Sequence, residues 1–278
     1  MDLFAVLTSS KGVPDDVASQ VAMSIGGLPN RLDANAVEIR FDGEPLSFVL
    51  DGIDINFVPA ENRAKRLLIA DMDSTIITVE CIDELADFAG QKATVADITE
   101  RAMRGELDFE QALRERVAML KGISRADIQT CFEERVALTP GAIDLVAAMN
   151  SRGVTALVSG GFTVFTDKVV AITGFQHSKA NTLLFDGDLL SGEVGTPIVH
   201  SETKLDVLTQ LLGQEGLGFE DAIAVGDGAN DAPMIEAAGL GVAFRAKPAL
   251  REVADAVLDH SDLTALLALQ GIKTPRVS

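Results

Sequence analysis

The chain of 278 residues has few basic residues and few cysteines. Lysine and arginine total 23 against 42 aspartates and glutamates, so the formal net charge is −19. Without a basic surface, a protein cannot gain affinity by releasing counterions from phosphates, which argues against a nucleic-acid partner. A small anionic substrate is still possible, because it responds to local rather than net charge. Cys81 and Cys131 provide neither a disulfide framework nor a thiolate metal site, and we expect both in the core.

Long apolar runs are also missing. No run reaches the length of a transmembrane helix, and the first residues (MDLFAVLTSSKG) lack the basic and long apolar regions of a secretory signal. Hydrophobic residues nevertheless make up 47% of the chain, which is too many for a disordered polymer. We therefore expect a reduced, globular, cytoplasmic protein without a membrane partner, a monomer or a homodimer, with one large domain or two modest ones.

Residues 1–64 form a small N-terminal α/β segment in this interpretation. Apolar runs at residues 3–7 and 36–39 flank a helix-like stretch, which predicts a β-α-β unit. The polar residues 59–66 (PAENRAKR) predict a linker to the rest of the chain. The sequence indicates no role for this segment.

From residue 65 onward, short apolar runs alternate with segments of helix length. This alternation predicts a parallel sheet with helices on both faces. The predicted strands are Leu67–Ala70, 154–158 and Ala222–Gly226, with weaker signals at Leu240–Phe244 and Ala256–Leu258. The first three are followed by polar or glycine-rich residues, and parallel sheets bind ligands beyond the carboxyl ends of their strands. We expect these loops to meet at one site.

Two insertions interrupt the alternation. Residues 78–135 carry helix signals only, among them Gly90 as a stop and Asp108 with Gln111 as a capping box. This predicts a helical cap, placed as a lid over a core of residues 65–77 and 136–278. Two apolar runs around Asp186 and Gly187 predict a hairpin.

Two carboxylates, Asp71 and Asp73, follow the first predicted core strand. They face one pocket if the chain turns there; the alternative is an acidic turn that caps a helix. A carboxylate can attack phosphorus and form an aspartyl-phosphate. A second carboxylate close by can transfer protons, because repulsion between like charges raises one of the two pKa values.

A second acidic string, residues 226–231 (GDGAND), follows another strand. Its alternative interpretation is a plain glycine-rich turn. Carboxylates from two strand ends form an oxygen-only ligand set, which suits a hard cation such as Mg²⁺ better than zinc. The three histidines stand alone and are expected to be surface or structural residues: His177, His200 and His260.

Two further features could bind an anion. At Ser159-Gly160-Gly161 the backbone N–H groups can approach a ligand closely, although a plain turn is the alternative. Lys204 lies at a helix start, where a solvated surface charge is the alternative. A pocket rich in carboxylates needs cations before it admits a phosphate dianion, since one unit-charge pair at about 4 Å is worth roughly 4 kcal/mol at an effective dielectric of about 20.

The order of these features resembles the haloacid dehalogenase superfamily of phosphohydrolases. Residues 80–86 (ECIDELA), 108–113 (DFEQAL) and 226–234 (GDGANDAPM) are similar to the phosphoserine phosphatases within it. The resemblance covers roughly residues 66–260 and implies a Rossmann-like parallel sheet core with a helical cap. It also implies Mg²⁺-dependent hydrolysis of O-phospho-L-serine to L-serine and phosphate, the last step of L-serine biosynthesis. Some family members carry an amino-acid-sensing domain at the N-terminus, but residues 1–64 are short for a complete one.

The resemblance assigns a role to each candidate residue. It implies a nucleophile and an acid/base group: Asp71 and Asp73. It implies three Mg²⁺ ligands: the Asp71 carboxylate, the Asp73 backbone carbonyl and Asp227. It also implies that Asp231 holds the water shell of the metal. It implies phosphate-binding residues: Ser74, Ser159, Gly160, Lys204 and the nearby Asn230. It implies contacts to the substrate head group: Glu80, Met103, Phe109 and Arg116.

The head-group assignment also has a local rationale. Phe109 and Arg116 are seven residues apart, which places them two turns apart on one helix face. Arginine can bind a carboxylate with two hydrogen bonds, and Glu80 can accept from an ammonium; phosphoserine carries both groups. The alternative for Arg116 is a pair with a nearby acid: Glu110, Glu115 or Glu133.

Two other functions stay open at this stage. One is a phosphatase for another small phosphate ester, or a phosphotransferase that passes the group to an alcohol. The more distant one is a non-enzymatic phospho-acceptor module in signalling, which would not need a helical lid that carries Glu80 and Arg116.

Overall fold

The computed structural model describes residues 1–103 and 106–274. Over these ranges the chain forms three sheets: a four-stranded antiparallel sheet, a six-stranded parallel sheet and a two-stranded hairpin. None of the helices within these ranges combines the length and the apolar character needed to cross a lipid bilayer.

The N-terminal unit is the antiparallel sheet with one helix packed on it. Its elements are β1 (Asp2–Thr8), α1 (Asp15–Ile25), β2 (Leu28–Asp33), β3 (Ala36–Asp42) and β4 (Asp54–Pro59), and the strand order is β2-β3-β1-β4. The sequence predicted β1, α1 and β3 but missed β2 and β4. Most side chains of β2 are exposed, and two of the three buried side chains of β4 are polar, so neither strand shows hydrophobic alternation.

Buried polar contacts fix this unit to the rest of the molecule. The Asn56 amide accepts from the backbone N–H of Val257 at 2.8 Å and donates to its carbonyl at 3.0 Å. The Asp54 carboxylate accepts from the Ser261 hydroxyl at 2.6 Å. Within the predicted linker, the Arg63 guanidinium lies 2.6 Å from a carboxylate oxygen of Glu38, and both side chains are nearly buried. Arg63 also donates to the carbonyls of Ala268 and Leu269, so this segment contacts both parts, and a domain boundary at residue 64 remains a prediction.

The parallel sheet confirms the predicted fold class. Its strands are β5 (Leu67–Ala70), β6 (Val154–Phe162), β7 (His177–Asn181), β10 (Ala222–Gly226), β11 (Leu240–Phe244) and β12 (Ala256–Leu258), in the order β12-β11-β10-β5-β6-β7. The associated helices are α6 (Ala142–Asn150), α7 (Thr163–Thr173), α8 (Ser201–Glu215), α9 (Ala232–Ala237), α10 (Pro248–Arg251) and α11 (Ala265–Leu269). Strand β7 was not predicted, because its residues (HSKAN) are polar and mostly exposed at the sheet edge.

Both faces of this sheet are buried. Along β5, Leu68 and Ala70 belong to one hydrophobic cluster, whereas Leu67 and Ile69 belong to another. Side chains alternate between faces along a strand, so the two clusters lie on opposite sides of the sheet. All four side chains of β5 are buried, so its sequence is a continuous apolar run, and this made the strand straightforward to predict.

Four of the helices between β5 and β6 form what we call the cap: α2 (Cys81–Phe88), α3 (Lys92–Met103), α4 (Phe109–Ala118) and α5 (Arg125–Arg135). Asp108 and Gln111 form the predicted capping box at the start of α4. The chain enters and leaves the cap through paired backbone, with Thr139 N–H donating to the Ile76 carbonyl at 2.9 Å. The predicted hairpin is confirmed as β8 (Leu183–Asp186) and β9 (Leu189–Val194), and β9 packs against α4.

Candidate active site

The two predicted catalytic carboxylates follow β5 in one wide turn. The Ile77 N–H donates to the Met72 carbonyl at 3.0 Å and closes this turn, and the buried side chains of Met72 and Ile76 anchor it. Asp71 and Asp73 both line one cavity of about 180 Å³ between the carboxyl edge of the sheet and the cap. The turn therefore brings both carboxylates to the same pocket, as the first interpretation of this string required.

Lys204 from α8 lies beneath Asp71. Its ammonium is 2.7 Å from Asp71 Oδ1 and 2.5 Å from Asp231 Oδ1, and the side chain is 1% exposed. Burial lowers the pKa of Lys204, but the two carboxylates raise it by more, so the net pKa lies above the ordinary value. Lys204 is thus a permanent buried cation and not the solvated surface charge of the alternative interpretation.

The Asp73 carboxylate is held from the cap and from the core. Its Oδ1 accepts from the Cys81 N–H at the start of α2 at 2.8 Å, and its Oδ2 accepts from the Ser159 hydroxyl on β6 at 3.0 Å. Burial and the nearby Asp71 carboxylate raise the pKa of Asp73 to about 6. This carboxyl can therefore exchange a proton near neutral pH.

Three buried carboxylates, those of Asp71, Asp227 and Asp231, place one oxygen each within 4.8 Å of the others. Asp231 already accepts from Lys204 and, through Oδ2, from the N–H groups of Asp227 and Gly228 at 3.1 Å each. Asp71 and Asp227, in contrast, line the cavity. The cluster could hold a metal ion, and its all-oxygen donors fit a hard divalent cation. In that arrangement Asp231 orients the loop rather than filling the cavity.

The Ser159-Gly160-Gly161 segment ends β6 beside Asp73. A Cβ atom at Gly161 would lie 2.6 Å from Asp73 Oδ2, so only glycine fits there. The Gly161 N–H donates to the Ser159 hydroxyl oxygen at 2.8 Å, which fixes the hydroxyl that reaches Asp73. Gly160 and Gly161 both line the cavity, with the Phe109 ring of the cap 3.8 Å from the Cβ position of Gly160.

The cap contributes Arg116, on α4, to the lining of the cavity. Arg116 is largely buried and donates through Nε to the Ala112 carbonyl at 3.3 Å. Burial lowers the pKa of Arg116, although Asp83 and Glu80 oppose the shift. Within the part of the chain that the structure describes, Arg116 forms no ion pair. The alternative partners are engaged elsewhere: Glu110 with Arg114, Glu115 with Arg101 and Glu133 with Gln129.

Glu80 precedes the first cap helix and faces the same cavity. Burial, followed by the Asp73 carboxylate, raises the pKa of Glu80 to about 7. The Ser74 hydroxyl donates to Glu80 Oε1 at 2.8 Å, and Ser74 adopts the left-handed conformation with φ of 54°. The hydroxyl of Ser74 therefore supports Glu80, and its predicted contact with phosphate stays a prediction.

Residues 68–236 match the family of haloacid dehalogenase-like hydrolases. The chain belongs to this family. It is 47% identical over 210 residues to the phosphoserine phosphatase of Polaromonas sp., covering 73% of this chain and 89% of that protein. The family resemblance inferred from the motifs is thereby confirmed.

Solved structures of hydrolases in this family have the same fold. A crystal structure described as a probable phosphoserine phosphatase from Vibrio cholerae superposes with a TM-score of 0.81 at 31% identity, covering 97% of this chain and 86% of that one. A structure of a phospho-aspartyl intermediate analogue of phosphoserine phosphatase superposes with a TM-score of 0.68 at 38% identity. It covers 76% of this chain and all of the other chain.

The structure of this haloacid dehalogenase-like hydrolase brings the predicted site residues together around one cavity. Those that line it are Asp71, Asp73, Glu80, Phe109, Arg116, Gly160, Asp227 and Asn230. Ser74, Ser159, Lys204 and Asp231 contact these residues from the surrounding shell. The side chain of Met103 lies outside the described residues.

Sequence reasoning missed several residues that line the cavity. The apolar ones are Ile82, Leu113 and Phe162. The charged one is Lys247, whose ammonium lies 3.7 Å from Asp227 Oδ2. Lys247 follows β11, the neighbour of β10, so its position at the carboxyl edge of the sheet could have been inferred from the strand pattern.

Proposed function

We propose that this hydrolase cleaves O-phospho-L-serine with water and releases L-serine and inorganic phosphate. One observation carries the proposal: a buried Asp71–Lys204 pair lies at the floor of a cavity whose cap side presents Glu80 and Arg116, which has no ion-pair partner among the described residues. The floor suits phosphoryl transfer, and the two cap residues complement the ammonium and the carboxylate of the amino acid. The phosphoserine phosphatases among its relatives agree with this assignment.

Asp71 is the proposed nucleophile. Lys204 and the Met72 N–H both contact Oδ1, at 2.7 and 2.8 Å, which fixes the carboxylate and leaves Oδ2 to attack phosphorus. A bond forms between this oxygen and phosphorus while the bond from phosphorus to the serine oxygen breaks. The result is an aspartyl-phosphate, which divides one difficult displacement into two easier ones.

Asp73 is the proposed acid and base. It gives its proton to the departing serine oxygen, then accepts a proton from the water that hydrolyses the aspartyl-phosphate. The Cys81 N–H and the Ser159 hydroxyl hold the carboxyl in place for both steps. Since one of these donors belongs to the cap and the other to the core, the position of Asp73 depends on their packing against each other.

We propose Mg²⁺ as the cation at the carboxylate cluster, held by the Asp71 and Asp227 carboxylates and the Asp73 backbone carbonyl. When bound, Mg²⁺ supplies positive charge that stabilises the phosphoryl group during transfer. Asp231 keeps the loop in register through its hydrogen bonds to Asp227 and Gly228, and it would hold the water shell of the ion. The chemistry of the donors supports Mg²⁺, because every ligand is an oxygen.

The cap selects the substrate in this proposal. Arg116 binds the serine carboxylate, Glu80 accepts from the ammonium, and Phe109 forms an apolar wall; Met103 keeps this role as a prediction. A cap packed over the cavity also keeps bulk water from the phosphoryl group. The cytoplasm as the compartment, a monomer or homodimer as the assembly and L-serine biosynthesis as the pathway remain predictions.

The direct test is phosphate release from phosphoserine by the purified chain with Mg²⁺, repeated with EDTA. We expect many turnovers with Mg²⁺ and none with EDTA. A panel of small phosphate esters, each with and without added alcohol, tests the alternative functions. Faster cleavage of another ester, or transfer of phosphate to the alcohol instead of water, would contradict the proposal. A single turnover that leaves the protein phosphorylated would indicate a phospho-acceptor module.

A further inference from the structure

We propose that Lys247 binds a non-bridging oxygen of the phosphoryl group at the mouth of the cavity. It would thereby raise the affinity for phosphate esters and for the phosphate product. The inference rests on the proposed function only for the identity of the ester, since inorganic phosphate tests it separately.

The backbone of Lys247 is fixed, whereas its side chain is not. Its N–H donates to the Asp227 carbonyl at 2.8 Å, and Pro248 directly after it begins α10. The side chain is 68% exposed, so the ammonium can move while its base stays at the sheet edge. This combination suits a group that meets an arriving ligand.

The charges around the cavity leave Lys247 as a cation available to phosphate. The lining carries four carboxylates, from Asp71, Asp73, Glu80 and Asp227, but two cations, Arg116 and Lys247. Lys204 below the floor already contacts two carboxylates, at 2.7 and 2.5 Å. Because Arg116 is on the cap and is assigned to the substrate carboxylate, Lys247 is the cation left on the core side of the described lining.

The present partner of Lys247 holds it weakly. Its ammonium is 3.7 Å from Asp227 Oδ2, beyond hydrogen-bond distance, and although Asp227 is buried, solvent around the exposed Lys247 ammonium weakens their attraction. A phosphate dianion offers a more highly charged partner with several acceptor oxygens. If the Lys247 ammonium leaves Asp227 to contact phosphate, it therefore loses little attraction and gains a charge-assisted hydrogen bond.

The strand order places Lys247 across from the other proposed phosphate-binding groups. Asp71 follows β5; on one side of it lies β6 with Ser159 and Gly160, and on the other lie β10 and then β11, which precedes Lys247. The ammonium also lies 3.8 Å from the Cβ position of Gly228, directly over the loop of Asp227. A phosphoryl group on Asp71 would thus have donors on both sides.

The test measures inorganic phosphate binding to the Mg²⁺-saturated protein by titration calorimetry. Lys247→Met removes the charge but keeps the length, Lys247→Arg restores a cation, and Lys11→Met is a matched loss of an exposed lysine in the N-terminal unit. We expect the phosphate Kd to rise about tenfold in Lys247→Met, to return close to wild type in Lys247→Arg and to stay unchanged in Lys11→Met. With phosphoserine, KM should follow the phosphate Kd, while kcat changes less.

An unchanged phosphate Kd in Lys247→Met would overturn the inference. A second contradicting result would be that Lys247→Met binds Mg²⁺ more weakly in the absence of phosphate but binds phosphate normally at saturating Mg²⁺. Lys247 would then only support Asp227. Thermal unfolding of each variant shows whether it is folded. If phosphate binding depends on Lys247 but the wild-type protein does not cleave phosphoserine, the proposed function fails and the role of Lys247 stands.

Discussion

The two sides of the active-site cavity are built differently. On the core side, Asp71, Lys204 and Asp231 are almost fully buried, and the Lys204 ammonium contacts the two carboxylates at 2.7 and 2.5 Å. On the cap side, Phe109 is 44% exposed and Arg116 forms no ion pair among the described residues. A charged network that is saturated before substrate arrives suits the chemistry common to all phosphate esters. Cap residues with unused binding capacity suit the recognition of one ester, so the comparison separates reactivity from selectivity.

The largest effect should come from Asp71→Asn on the core side. An amide is a poor nucleophile, so we expect turnover to fall by on the order of 10⁴-fold or more with every phosphate ester. Lys204 would still have Asp231 as a partner, and the variant should stay folded. Steady-state phosphate release and thermal unfolding measure the two effects. Residual activity with any ester close to wild type would refute the nucleophile assignment.

Lys204→Met should affect both activity and stability. Removing the cation leaves Asp71 and Asp231 buried without their counter-charge, which costs about 3–5 kcal/mol of unfolding free energy. We expect turnover to fall equally for phosphoserine and for a simple aryl phosphate. Urea unfolding measures the loss. A stable variant would show that the core network is not a buried ion cluster.

Arg116→Met should lose selectivity but not stability. Its guanidinium has no carboxylate partner in the described chain, so we expect KM for phosphoserine to rise by about 10²-fold, the loss of a bidentate charged contact. The aryl phosphate has no carboxylate, and its kcat/KM should change little. Arg114→Met on the same helix, which loses an exposed pair with Glu110, is the control. Equal losses on both esters would remove Arg116 from substrate selection.

The smallest effect concerns the pH dependence of recognition by Glu80. Burial raises its pKa to about 7, so below that pH the carboxyl is increasingly protonated and loses its attraction for an ammonium. KM for phosphoserine should rise as the pH falls below about 7, by at most about tenfold per pH unit. The phosphate ester of 3-hydroxypropanoic acid is the control, because it lacks the ammonium while its phosphate group ionises over a pH range similar to that of phosphoserine. If KM of both esters follows the same pH curve, Glu80 does not bind the ammonium.

Strands with a local signal in the sequence could be predicted, whereas a strand that depends on long-range contacts could not. The core strands β5 and β10 are short apolar runs followed by Asp71 and Asp227, so periodicity and motif agreed. Strand β4 could not be predicted, because Asp54 and Asn56 on its buried face are polar and are satisfied only by distant residues near the C-terminus. Such long-range hydrogen bonds leave no local signal in the sequence.

Lys247 illustrates a second limit. The strand pattern can place it at the carboxyl edge of the sheet, but its proximity to Asp227 arises only when β11 pairs with β10. The residues of the cap could be placed by resemblance, but the lack of an ion pair at Arg116 within the described chain emerged only from the positions of three neighbouring acids. Motifs therefore located the chemistry, while the charge balance of the cavity required the tertiary structure.

The central claim is that Asp71 carries the phosphoryl group during turnover. We would mix the wild-type protein with phosphoserine and Mg²⁺, quench in acid at steady state and map the protein by peptide mass spectrometry. The account predicts that the peptide containing Asp71 gains the mass of one HPO₃ group, and that the Asp71→Asn protein gains none. Phosphate release without any labelled peptide, or a label on another residue, would contradict it.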